Sequence, residues 1–206
     1  MLKSLFNSPQ QRLIKAVQAG DVDKLARLLA KVEVDSIYEA DMDGRHALEH
    51  ALKAEEPRLL QLLLQKCQSP LPAASCGSPL TVLALQQNNS LAQLSALLQI
   101  GENANLSHQG QPLLHHCADH CPPTSLMVHI SRLLEYGADL DARDESGRVL
   151  LEKLMPQGDQ ALLQFLIQSG ADCEDAWLEQ LEDEALALQL RRVREDIRIR
   201  KMMLGG

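Results

Sequence analysis

The feature that most constrains this chain is a passage that occurs twice. Residues 44–67, GRHALEHALKAEEPRLLQLLLQKC, align without a gap on residues 147–170, GRVLLEKLMPQGDQALLQFLIQSG. Each copy reads as a turn, a short helix, a break and a longer leucine-rich helix. The phrases GADLDA, beginning at Gly137, and GADCEDA, beginning at Gly170, then recur 33 residues apart. A period of this length marks a unit that cannot bury its apolar face alone and must stack on copies of itself.

Local signals agree with short helices. Leu59, Leu60, Leu63 and Leu64, then Leu94, Leu97 and Leu98, then Leu162, Leu163, Leu166 and Ile167 recur at helical spacing. Ser8 followed by Pro9 reads as an N-cap and a first-turn proline, and Gly101, Gly137 and Gly170 stand where left-handed residues end helices.

With these marks in place the chain resembles the ankyrin-repeat family, whose unit of about 33 residues pairs two antiparallel helices with a projecting turn and carries a T-P-L-H-x-A motif. PLLHHCA at residues 112–118 carries the resemblance, with His115 at the family's histidine and Cys117 at a buried small-residue position. SPLTVL at residues 78–83 also falls at the motif's place, its register open by one residue between Ser78 and Pro79, and HALEHA at residues 46–51 is a degenerate copy. AVQAGDVDKLARLLAK at residues 16–31 resembles the end of an earlier helix pair, broken at Gly20. The implied fold is all-α: an ankyrin-type helical repeat solenoid forming one domain. It has an N-terminal capping helix pair over 1–40 and four degenerate repeats at about 41–73, 74–106, 107–143 and 144–175. A non-repeat capping helix follows over 176–206, with Leu186, Leu190, Val193 and Ile197 on its apolar face and Trp177 at its junction with the repeats.

The third repeat is long. Gly110 to Gly137 takes 27 steps where the clean copies take 23, and the excess is expected in DHCPPTS, residues 119–125, as an extended proline-rich loop. The same region holds HHCADHC. His116 with His120, and Cys117 with Cys121, are each four apart and could face a metal ion from one helix, with His116, His120 and Cys121 left unassigned by the repeat register, but no second half of a four-ligand zinc site follows. No cofactor or metal is therefore expected, and a metal-binding regulatory protein remains the alternative.

No GxSxG elbow, no GxxxxGK[ST] loop and no HExxH occurs. The carboxylates Asp139, Asp141, Asp144 and Glu145 fall in turns, where solvated side chains are the ordinary state. A non-enzyme with no small-molecule substrate is expected. A formal charge of -8 opposes a surface built for phosphate backbones and favours a neutral or basic protein partner. The charge is uneven: seven acidic residues and no basic one lie between 172 and 184, and six basic with two acidic between 191 and 201. The helix dipole favours that order. RNA or membrane contact through this basic end is the other alternative, with no aromatic anchor to support it.

The start, MLKSLFNSPQQRLIKAV, has an apolar run broken at Asn7, Ser8 and Pro9, unlike a signal peptide. No apolar run reaches the roughly 18 residues of a membrane span. Five cysteines without a paired framework suit a reducing compartment, and a cytoplasmic protein is expected. Gly205 and Gly206 read as a frayed end.

The resemblance also implies where binding occurs: on the turns and the exposed face of the first helices. The positions are Asp41, Asp43, His50 and Lys53; His108, Gln109, His116 and Asp119; and Asp144, Glu145, Lys153 and Gln157. Of the two tyrosines, Tyr38 near a turn is the candidate anchor and Tyr136 a packing residue.

Overall fold

A computed structural model describes residues 8–204, for residue 204 the backbone alone. The expectations for residues 1–7 and for Gly205 and Gly206 lie outside the described residues. Among those described, the chain is all-α apart from one two-stranded hairpin, and no helix is long and apolar enough to cross a membrane. It divides into two compact units, the first ending at Ala104 and the second beginning at Asn105.

The first unit holds α1 (Pro9–Gln18), α2 (Val22–Leu29), α3 (Asp35–Tyr38), α4 (Ala47–Lys53), α5 (Pro57–Leu64), α6 (Leu80–Leu85) and α7 (Ser90–Gln99). Helices of each pair pack on one another, α1 on α2, α4 on α5 and α6 on α7. First helices also meet first helices and second helices meet second helices, giving the layers α1–α4–α6 and α2–α5–α7. The leucines at helical spacing in α5 and α7 are all buried between these layers. The short α3, unexpected from the repeat, places Ile37 in the same core.

The second unit opens with a hairpin of β1 (Ser107–His108) and β2 (Gln111–Pro112), in which Ser107 faces Pro112. Gln109 (φ 50°) and Gly110 (φ 69°) are both left-handed, as a two-residue turn of this kind requires. Then come α8 (Leu113–His120), α9 (Pro123–Glu135), α10 (Leu150–Leu154) with a 3-10 turn over Met155–Gln157, α11 (Gln160–Gln168), α12 (Asp175–Glu179) and α13 (Glu184–Leu204). α8 packs on α9 and α10, α10 on α11, and α13 on α11 and α12. Leu186 and Leu190 of α13 are buried while Val193 and Ile197 are only half-buried, and Trp177 is buried on α12.

Helix ends follow the capping chemistry of the sequence. Ser8 accepts from the Gln11 N–H at 3.2 Å, Asp21 from Lys24 at 2.9 Å and Asp159 from Leu162 at 3.1 Å. After α1, α7, α9 and α11, Gly20, Gly101, Gly137 and Gly170 make the same closure. The glycine N–H bonds the carbonyl three residues back, and the next N–H the carbonyl five back. Side chains then tie these ends to one another. Glu102 accepts from the Ser69 hydroxyl (2.8 Å) and Leu71 N–H (3.0 Å), Asn105 spans Gly137 and Asp139, and Asp141 accepts from Asp172 N–H at 2.9 Å. Each tie spans 31 to 34 residues, close to the sequence period.

Two expectations are corrected. The residues expected as an extended proline-rich loop are helical: α8 runs on to His120 and α9 starts at Pro123, leaving Cys121 and Pro122 as the connection. The excess lengthens α9 to 13 residues against 8 in α5, because Pro123 fits a first helical turn and the leucine spacing continues. The tyrosines differ from expectation in their exposure. Tyr38 packs on the core and hydrogen-bonds Cys67, and burial followed by that contact pushes its hydroxyl up to about 12. Tyr136, the C-cap of α9, is exposed because its backbone is turning toward Gly137.

Candidate functional site

Three turns share one backbone closure. The N–H of Asp41, Ala74 and Asp144 bonds the carbonyl of Arg45, Ser78 and Arg148, and the N–H of Gly44, Gly77 and Gly147 bonds back to the first residue. This aligns Ser78 with Arg45 and Pro79 with His46, which settles the register left open by one residue. In the first turn Asp41 Oδ1 also accepts from Asp43 N–H (2.9 Å) and Arg45 N–H (3.0 Å), pinning the tip. On that tip Met42 is 98% exposed, although a methionine there contributes nothing to the core. Neither composition nor repeat register marks it; only exposure does.

Behind the first tip the expected residues form a connected group. His50 Nε2 donates to Asp41 Oδ2 at 2.7 Å, since a carboxylate can only accept, and its Nδ1 faces Gln18 Nε2 at 3.4 Å. Burial opposes ionisation of Asp41, but His50 and the Arg45 and Asp43 N–H groups outweigh it and hold the carboxyl below its usual range. Lys53 reaches Glu49 at 3.1 Å. Glu49, 1% exposed, also accepts from the Ser75 N–H (2.7 Å) and hydroxyl (2.8 Å). Its burial would raise the carboxyl; Ser75 and Lys53 together bring it below the ordinary value. Glu49 was not among the expected residues, and its partner lies 26 residues ahead.

In the second unit the expected residues also engage one another. Glu145 lies over the hairpin, so close that a Cβ on Gly110 would stand 1.9 Å from its Cγ. His108, His116 and His120 form a row with ring centroids 6.0 Å apart at each step, the last two nearly parallel. His116 is buried, not exposed as its register position implied, because its Nε2 donates to the His108 carbonyl at 3.1 Å. Burial lowers its tendency to protonate. Lys153 pairs with Asp119 at 2.7 Å and is half-buried. Gln157 stands apart and exposed on the 3-10 turn.

His115 holds the turn that follows it: Nε2 lies 3.2 Å from the Ala142 carbonyl, 27 residues ahead, and must donate. Its Nδ1 is buried without a hydrogen bond, 3.7 Å from Asp144 Oδ2. Burial and the Lys153 ammonium keep the ring neutral. His46 makes the same 27-residue reach to Ala73 at 3.2 Å.

The three residues of the metal alternative do not converge. His116 turns to the hairpin, His120 stacks on it, and Cys121 instead meets Cys117 and His129. Among the described residues no group of three or more His, Cys, Asp or Glu side chains is arranged to hold a metal ion. His129 was missed because nothing local ties it to Cys121. At the basic end, a groove of about 440 Å³ between α11 and α13 is lined by Cys173, Arg194, Arg198 and Lys201 among others. Arg194 is already committed to the Cys173 carbonyl (2.9 Å) and Asp175 (2.7 Å).

Compared with known proteins, the chain matches no family and no curated sequence.

Proposed function

We propose that this chain is a non-catalytic, cytoplasmic protein-interaction module of ankyrin type, an adaptor, assembly subunit or stoichiometric inhibitor. Its helix pairs form a solenoid that presents turn tips and first-helix faces to a protein partner. The observation that carries this reading is Met42: a fully exposed thioether on a tip that Asp41 pins by two hydrogen bonds. Methionine is enriched at protein interfaces, and a preformed tip loses little entropy when it docks. The internal pairing of Asp41 with His50, Glu49 with Lys53 and Asp119 with Lys153 fits a rigid face better than a set of free charges seeking counter-ions. The recurrent ties at 31 to 34 residues support the ankyrin-type reading.

A photo-crosslinking amino acid at Met42, introduced into the chain in its native cell, tests this directly. The reading expects one crosslinked protein partner that is absent when the same group is placed at Gln65, an exposed residue at the C-cap of α5. Equal capture from both positions, or none from Met42, would remove it.

A further inference from the structure

The end of α8 carries a chemical grouping that protein binding does not use. Cys117 and Cys121 are one helical turn apart, and their side chains are within hydrogen-bonding reach. Cys121 also interacts with the His129 ring from α9. His129 Nδ1 lies 2.8 Å from the Ser125 carbonyl, so that nitrogen carries a proton and donates it. The nitrogen left with a lone pair for a thiol is Nε2. A sulfur, a base and a carbonyl that orients the base are thus neighbours, the combination that activates thiol nucleophiles.

We propose that Cys121 is a peroxide-oxidisable thiol and Cys117 its resolving partner, the two closing into a disulfide across the last turn of α8. His129 Nε2 takes the Cys121 proton. The thiolate attacks one oxygen of a hydroperoxide, an S–O bond forms as O–O breaks, and the other oxygen leaves with a proton as water or alcohol. Cys117 sulfur then displaces the sulfenic oxygen as water, leaving S–S. Two electrons pass from the pair of thiols to one peroxide.

The electrostatics run the same way. Hydrogen bonding from Cys117, then His129, favours the Cys121 thiolate against its burial, and the same contact with burial holds Cys117 protonated. Cys121 is 6% exposed and is followed by the exposed Pro122 and Pro123. Side chains four apart on a regular helix hold their Cβ atoms about 5–6 Å apart, somewhat too far for a disulfide. Cys121 is the C-cap (φ -83°, ψ 141°), where the helix already ends, so only its last turn must adjust.

The test uses the whole reduced protein with limiting hydrogen peroxide, thiol blocking and peptide mass spectrometry. Expected is an internal Cys117–Cys121 disulfide. In C117S, dimedone is expected to trap a sulfenic acid at Cys121. H129Q should slow Cys121 oxidation near neutral pH by roughly tenfold or more, as loss of thiolate implies. The internal comparison is Cys76, which is exposed. Oxidation of Cys76 while Cys121 stays reduced in the folded chain would overturn the proposal, as would C117S yielding no adduct at Cys121. Neither depends on H129Q folding.

Discussion

The turns at residues 41–45 and 74–78 have the same backbone closure but obtain their carboxylate differently. The first carries its own, Asp41, which caps the tip and then binds His50. The second has Ala74 at that position, and the carboxylate arrives from Glu49 on α4, bonded to Ser75. The turn at 144–148 repeats the first arrangement with Asp144, whose Oδ1 accepts from Ser146 and Arg148 N–H groups. The turn shape therefore needs the left-handed glycine and its closure, whereas the carboxylate is interchangeable. Where it is imported it also fastens the turn to the preceding helix, so more depends on it.

The largest effect should separate those two designs. Glu49→Gln sets a buried amide against Ser75 and Lys53 and should cost about 2–3 kcal/mol. Asp144→Asn keeps an acceptor on a turn edge and should cost about 1 kcal/mol. Urea unfolding measures both, and equal losses would show that an imported carboxylate is no different from a resident one. Next, Gly44→Ala, Gly77→Ala and Gly147→Ala meet no steric obstacle but must hold φ near +79°, at about 1–2 kcal/mol each. Unequal losses among the three would break the equivalence of the turns.

Acid should act through the two histidines that reach 27 residues ahead. In the folded chain His46 and His115 protonate below the usual 6.5, chiefly because they are buried. The unfolded chain takes up those protons first. Their contribution is therefore complete above that value and is lost as pH falls through and below it. The melting temperature should drop between about pH 7.5 and 5.5. His46→Asn, which keeps an N-cap acceptor but does not titrate, should flatten that drop; an unchanged slope would remove His46 from the account. The smallest effect belongs to Asp119→Asn, whose partly exposed pair with Lys153 should contribute at most about 1 kcal/mol and weaken with salt.

Most helix ends and turns were legible because their causes are local. Ser8 with Pro9, Asp21, Asp159 and the four helix-ending glycines act on backbone groups within five residues. The candidate face was half legible. Its residues were placed by register, but register says nothing of whom a side chain meets. His116 turned inward to a hairpin that the all-α reading had not included, and Lys153 turned to Asp119. Met42 was passed over because an apolar residue in a turn gives no periodic signal.

The sequence by itself determined the short helices, their glycine ends and the apolar stripes they bury, since each follows from backbone sterics, capping and side-chain spacing. Only the tertiary structure decided that Glu49 serves the turn after it and that Tyr38 rather than Tyr136 is packed. It also decided that extra residues lengthen α9 instead of a loop and that Cys121 meets His129. Each of those depends on which distant groups the packing of successive helices brings within reach, and hydrogen bonds and burial at 8 to 30 residues' separation leave no local mark in the chain.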